Sequence, residues 1–146
     1  MMKKEQIFEI LNKNPVFFLS TVKDTEPRVR GMLLYKADEF GIIFHTGPHK
    51  EVYHQILKNP NVEICFYDAG QNIQIRVRGT LEKIDDLNLK EEISNHPSRA
   101  FMQGWKAKCS TIDDFYDMFS VFCLKNGKAN IWTFESNFAP KEDILL

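Results

Sequence analysis

The chain has 146 residues, a formal net charge of −1 and an unusually large share of phenylalanine, 12 residues in all. That length suits one domain, residues 1–146, built around one core, and leaves no room for two ordinary ones. The near-neutral balance gives no global attraction to nucleic acid or to an anionic membrane surface, so any basic patch must be local.

The longest apolar runs, such as Val16-Phe17-Phe18-Leu19 and Ile42-Ile43-Phe44, are strand-sized and far too short to span a bilayer. The opening MMKKEQIFEILNKN has no apolar signal-peptide core, so a cytoplasmic location is expected. Cys65, Cys109 and Cys123 are odd in number and widely spaced, with neither CxxC nor Cys/His ligand spacing, which indicates no disulfide framework and no metal site. Cys65 and Cys123 lie in apolar, strand-like runs and read as buried thiols.

In chain order, residues 3–13 carry Ile7, Phe8, Ile10 and Leu11 as a helical stripe that stops at Asn14-Pro15. Residues 16–22 and 28–35 read as two strands of a hairpin across the polar turn 23–26, and Asp38-Glu39-Phe40-Gly41 turns the chain into a strand at 42–46. A helix is predicted over 48–58, with Pro48 at its first position and Thr46 or Gly47 as cap. Strands follow at 62–67 and 73–84, where Ile73, Ile75 and Val77 alternate with Gln74, Arg76 and Arg78. Residues 85–95 read as a helix opened by an Asp cap, and 98–114 as short helical turns and loop. Strands at 115–124 and 129–134 flank an Asn126-Gly127 hairpin, and the tail from 135 is expected to be loosely ordered. Six or more strands joined mostly by hairpins predict an antiparallel barrel with peripheral helices.

The chemistry concentrates before Glu51, where the chain spells His45-Thr46-Gly47-Pro48-His49-Lys50. A helix N-terminus is partly positive and favours acidic residues, yet this one carries Lys50 and His49 against Glu51 alone. A phosphate held by backbone N–H groups, Thr46 and Lys50 would resolve that conflict; the plainer alternative is a lysine extended into solvent. Arg28, Arg30 and Met32 share one strand face, and Gln74, Arg76 and Arg78 another. Either set could be solvated with cross-strand glutamates or could clamp an anion with Lys50. A single-strand nucleic-acid surface is a weaker reading, given the near-neutral charge and aromatics placed where core is needed. No nucleophile with a base stands out, catalytic residues stay unassigned, and neither a GxGxxG nor a GxxxxGK[ST] element occurs.

The ordered set FLSTV, PRVRGMLLY, GIIFHTGPHK, NPNVEICFYD and QIRVRGTLE resembles the pyridoxamine 5′-phosphate oxidase-like, FMN-binding split-barrel proteins, within them the general-stress-protein and nitroimidazole-resistance branch. The likeness runs from about residue 5 to residue 134. It implies a split antiparallel β-barrel, mainly β with peripheral α, forming a homodimer with FMN at the subunit interface. By that pattern Arg30, Gly31, Met32 and Leu33 lie along the flavin, and His45 and Thr46 sit beside ring and ribityl chain. His49 and Lys50 match the phosphate-binding pair, and Gln74 a glutamine near the ring. The stretch Trp105-Lys106-Ala107-Lys108-Cys109-Ser110 is similar to one that reaches the flavin from the partner, with Cys109 in place of a glutamine, and Trp132 resembles a late tryptophan. The chain departs from the pattern after Trp132, where the arginine-histidine substrate segment of true pyridoxamine phosphate oxidases is missing, so oxidation of vitamin B6 is not expected. The implied function is an FMN-dependent oxidoreductase acting on an unidentified small molecule, possible stress role included; the alternatives are a non-catalytic flavin carrier and a barrel for haem or a deazaflavin.

Overall fold

The computed structural model describes residues 1–146. Helix α1 (Lys4–Lys13) buries Ile7, Phe8, Ile10 and Leu11, the stripe its spacing predicts, and Asn14 ends it by donating its backbone N–H to Ile10 and Leu11. Strands β1 (Val16–Lys23) and β2 (Glu26–Asp38) form a hairpin, followed by β3 (Gly41–Thr46), α2 (Glu51–Lys58), β4 (Asn61–Asp68) and β5 (Ile73–Ile84). Then come α3 (Leu87–Asn95), a single 3-10 turn (Pro97–Arg99), α4 (Met102–Ala107), α5 (Ile112–Tyr116), β6 (Ser120–Leu124), β7 (Lys128–Trp132) and β8 (Ile144–Leu145).

All pairings are antiparallel, in the order β4-β1-β2-β3-β6-β5, and a β4–β5 ladder closes the six into a barrel. This is the split barrel the sequence predicts. β5 is long enough to serve two neighbours in turn: its first half pairs with β7 and its second half with β6. The interior is filled by Phe17, Leu19, Phe44, Ile64, Phe66, Ile75 and Val77, with α1 and the apolar face of α2 (Val52, Ile56) packed on the same core. Phe17 stacks on Phe66 at 5.0 Å and meets Phe44 edge-on at 5.5 Å, so part of the phenylalanine richness goes into the barrel interior. A second, smaller core outside the barrel joins Ile43, Val121 and Cys123 to Ile93, Met102, Phe115 and Phe119.

Several expectations are corrected. Pro48 is not helical: Lys50 donates its N–H to the Gly47 carbonyl in a tight turn, and α2 starts only at Glu51. The predicted strand at 115–124 is shorter, because Thr111 caps a helical turn by accepting from the Asp114 N–H, and Phe115 packs from that turn into the second core. The aspartate cap expected for α3 is present: Asp86 accepts from the N–H groups of Asn88 and Leu89, and the helix starts at Leu87. The tail is ordered at its end: β8 pairs with β7, Asp143 binds Arg78 at 2.7 Å, and Leu146 donates to the Gly127 carbonyl. Cys123 is buried as expected, but Cys65 is only half-buried.

Candidate functional site

The barrel splits between β2 and β3. The two pair from Asp38↔Gly41 to Leu34↔Phe44, with an irregularity between Leu34 and Lys36, and then part. β2 stays with β1 (Leu33↔Val16, Met32↔Phe17), while β3 continues with β6 (His45↔Val121, Thr46↔Ser120). A cavity of about 660 Å³ lies in the fork, within the range of cofactor-sized sites. Gly31, Met32 and Leu33 line one branch and His45, Thr46 and Gly47 the other; His49, Lys50, Phe101 and Trp105 stand around it. Phe101 and Trp105 meet edge-on at 5.5 Å.

Thr46 lines this space, and its side-chain hydroxyl is buried. Its Oγ1 has no hydrogen-bond partner in the protein, and an unpaired buried hydroxyl is costly enough to call for one. Lys50 is the N-cap of α2, exposed and in no ion pair, at the helix end where backbone N–H groups have no intrahelical partner. A Cβ on Gly47 would come within 2.5 Å of the His49 ring, which folds back over the turn, so a side chain here would push that exposed imidazole aside. An orphan hydroxyl, a free ammonium and a helix N-terminus at one end, with apolar side chains at the other, fit a ligand having an anionic head and a flat apolar body.

His45 is held by a residue that sequence reasoning missed. Arg99 donates from Nε to His45 Nε2 at 2.8 Å, and Phe119 meets the imidazole edge-on at 5.6 Å. Burial, then the Arg99 guanidinium and the Lys50 ammonium, hold the imidazole down at about 4, so it is neutral at physiological pH. Arg99 itself is 1% exposed and has no carboxylate partner.

The remaining expected residues do not line this cavity. Arg30 turns its guanidinium away from it, under α2, donating to the Leu19 carbonyl, Thr21 Oγ1 at 2.8 Å and Gln55 Oε1 at 2.7 Å, while Thr21 donates to the same glutamine oxygen. Gln74 and Trp132 pair across β5 and β7, and the Trp132 indole donates to Asn137. Cys109 sits behind the lining, its Sγ 3.3 Å from both the Trp105 carbonyl and Met118 Sδ, and Ser110 is exposed. Trp105 contributes to the cavity of its own chain. Arg76 and Arg78 take the ordinary course of surface arginines, paired with Glu63 at 3.3 Å and Asp143 at 2.7 Å. Besides Arg99, the lining residues Val16, Phe101, Met118 and Phe119 were not anticipated. Nothing short-range marks any of them, beyond Pro97 as a turn signal ahead of Arg99.

Fold and cavity together define a split β-barrel with a cavity where its sheet divides. The chain matches the family model described as pyridoxamine 5′-phosphate oxidase over residues 4–120, and it belongs to that family. The pyridoxine/pyridoxamine 5′-phosphate oxidase of Brucella ovis is 30% identical over 97 residues, covering 66% of this chain and 47% of that protein. The chain thus spans about half the length of the relatives of this kind. Among solved structures, a NimC/NimA family protein from Clostridium acetobutylicum superposes with a TM-score of 0.75 at 24% identity, covering 97% of this chain and 92% of that one. A pyridoxamine 5′-phosphate oxidase-related, FMN-binding protein from Nostoc punctiforme gives 0.66 at 18% identity, with 98% and 95% covered. A heme-binding protein from Mycobacterium smegmatis also gives 0.66, at 13% identity, with 93% and 55% covered. No helix of this chain is long and apolar enough to cross a membrane.

Proposed function

We propose that this chain binds FMN in the fork of the barrel and acts as a flavin-dependent oxidoreductase on a small molecule. The observation that carries the reading is the buried, partnerless Thr46 hydroxyl beside Lys50 at the start of α2, which suits a phosphate. Family membership and an FMN-binding neighbour support it. FMN held there would supply the electron-transfer chemistry. The chain's own part is to fix the phosphate with Thr46, Lys50 and backbone N–H groups, and to cover the ring with Met32, Leu33, Phe101 and Trp105. Arg30 supports this from behind by bracing Thr21 and Gln55.

A homodimer belongs to the same proposal. Val16, Phe18, Val29, Leu33 and Tyr67 project from the outer face of β1, β2 and β4, all more than a third exposed. Val16 and Leu33 also border the cavity, so a second copy seated on this face would complete its open side. Val16 pairs with Leu33, Phe18 with Cys65, Tyr67 with Gln74 and Gln74 with Trp132, and because alternate residues of a strand share a face, Gln74 and Trp132 lie on the same outer surface.

The deciding experiment is the visible spectrum of the purified protein, before and after loading with FMN and gel filtration, for wild type, Lys50→Ala and Thr46→Val. Retained flavin that is lost or weakened in both variants supports the site, and no retention and no quenching of FMN fluorescence by wild type overturns it. Haem is the second reading, favoured by the mycobacterial neighbour; it would need an axial donor, and with His45 Nε2 taken by Arg99 that would fall to His49 of the lining. A Soret band in the same spectrum would establish haem. Binding without turnover under any donor and acceptor pair would leave a flavin carrier.

A further inference from the structure

Where β2 and β3 part, backbone groups on the two strands lose each other as partners, and one side chain takes up the opening. Arg99 enters from the 3-10 turn and donates from Nη2 to the carbonyls of Leu34 (3.0 Å) and Leu33 (3.4 Å), both on the β2 branch. Its Nη1 donates to the Ser98 carbonyl and hydroxyl (3.5 and 3.2 Å), and its Nε to His45 on the β3 branch. A guanidinium carries five N–H groups and cannot accept, so this network satisfies it entirely with neutral acceptors. The Tyr35 ring, 5.5 Å from the guanidinium carbon, covers one face, and Tyr35 in turn donates to Glu92 and packs edge-on against His96.

The direction of the Arg99 to His45 bond has a chemical consequence. Because Arg99 can only donate, Nε2 of His45 must carry a lone pair, and the neutral ring must keep its proton on Nδ1. The groups facing His45 are the Arg99 guanidinium from the 3-10 turn, the Lys50 ammonium from the turn before α2 and the Phe119 ring from the segment before β6. Both charged neighbours are cations, and either opposes a second proton on the imidazole.

We infer that Arg99 is a positioning residue: by spanning the fork and donating to Nε2 it fixes His45 as the Nδ1-protonated tautomer, so the cavity that His45 lines offers a ligand a hydrogen-bond donor. The partner this selects is an acceptor, such as a carbonyl oxygen, a ring nitrogen lone pair or an anionic oxygen, and not another N–H. The tautomer follows from the ligand-free protein; only the assignment of the acceptor to a flavin rests on the function proposed above.

The test is long-range proton–nitrogen NMR on ligand-free protein, with the His45 signals assigned by their loss in His45→Gln. Wild type should show a lone-pair nitrogen at Nε2 and a protonated one at Nδ1, unchanged on titration from about pH 8 down to about pH 5. Arg99→Met removes donor and charge together and should raise the His45 midpoint by at least about one pH unit, a tenfold change in proton affinity, with loss of the single tautomer. Arg99→Lys, which keeps a charge and a donor, should restore part of the wild-type behaviour. A His45 midpoint near the ordinary imidazole value in wild type, or a lone pair on Nδ1, overturns the inference. Should Arg99→Met fail to fold, as loss of the Leu33 and Leu34 carbonyl contacts could cause, the wild-type spectrum alone decides. None of these readouts uses FMN, so failure to bind FMN would count against the function and leave this inference standing.

Discussion

Replacing Thr46 by valine should move stability and affinity in opposite directions. Valine has nearly the same shape and suits a strand, so the substitution chiefly deletes a hydroxyl that is buried and unpaired in the ligand-free protein. An unsatisfied buried hydroxyl costs about 1–3 kcal/mol, and the ligand-free variant should recover about 1–2 kcal/mol of that. For a chain of 146 residues the entropy of unfolding is about 0.3 kcal/mol/K, so Tm should rise by about 3–6 °C. Toward FMN the same hydroxyl would bond a charged phosphate, worth about 1.5–3 kcal/mol, and Kd should weaken by about 10- to 150-fold. Scanning calorimetry on stripped protein gives the first quantity and fluorescence quenching titration the second. Thr46→Ser, which keeps the hydroxyl, should retain most of the affinity and gain no stability. A ligand-free valine variant with unchanged or lower Tm, together with unchanged Kd, would refute the reasoning that this oxygen awaits a ligand.

Arg30 and Lys50 should separate cleanly: Arg30→Ala leaves Thr21 and Gln55 without their cation and lowers stability by about 1–3 kcal/mol in urea denaturation, whereas Lys50→Ala leaves stability within about 0.5 kcal/mol and weakens FMN binding. Because the folded-state pKa of His45 is depressed from 6.5 to about 4, the unfolded chain takes up a proton that the folded chain refuses. Stability should therefore fall as pH drops from about 6.5 towards 4, by at most about 3 kcal/mol; urea midpoints measured at steps across that window check it, and the His45→Gln variant should show a shallower fall. Phe18→Lys places a charge on the apolar outer face at a side chain that is 54% exposed, so it should spare the monomer fold while shifting sedimentation velocity from dimer to monomer. An unchanged sedimentation coefficient would count against that face as the dimer contact.

The barrel was legible because its strands alternate apolar and polar residues and its turns carry strong local signals. Asp24, Asn72 and Asn126 do adopt the left-handed backbone that such turns demand. The misreadings share a cause. Phe115 to Leu124 is apolar almost throughout, and such a run reads equally as strand or as a helical turn leading into a shorter strand. Ile144 and Leu145 form a strand only because β7 offers them an edge, which no window of two residues can reveal. At the site, Thr46 and Lys50 drew notice because they stand close together in the chain ahead of a helix, although Thr46 ends β3 and Lys50, not Thr46 or Gly47, is the N-cap. The hydrogen bonds of Arg30 could not be foreseen because its acceptors, Thr21 and Gln55, come from other elements, and Arg99 was invisible because its role depends on carbonyls 65 and 66 residues away.

The fork between β2 and β3 also divides the molecule kinetically. Below Leu34 and Phe44 the two strands are laced together and opening them means breaking the closed barrel, whereas above that point the Arg99 side chain and not a backbone ladder joins them, and its bonds can break while β1 and β6 keep hold of their partners. Small opening excursions that admit or release a guest are thus decoupled from global unfolding. In hydrogen-exchange terms, amides of the 45–47 and 31–33 segments that face the gap should exchange through local fluctuations, while those of Phe17, Ile64 and Ile75 in the closed wall should exchange only when the whole chain unfolds.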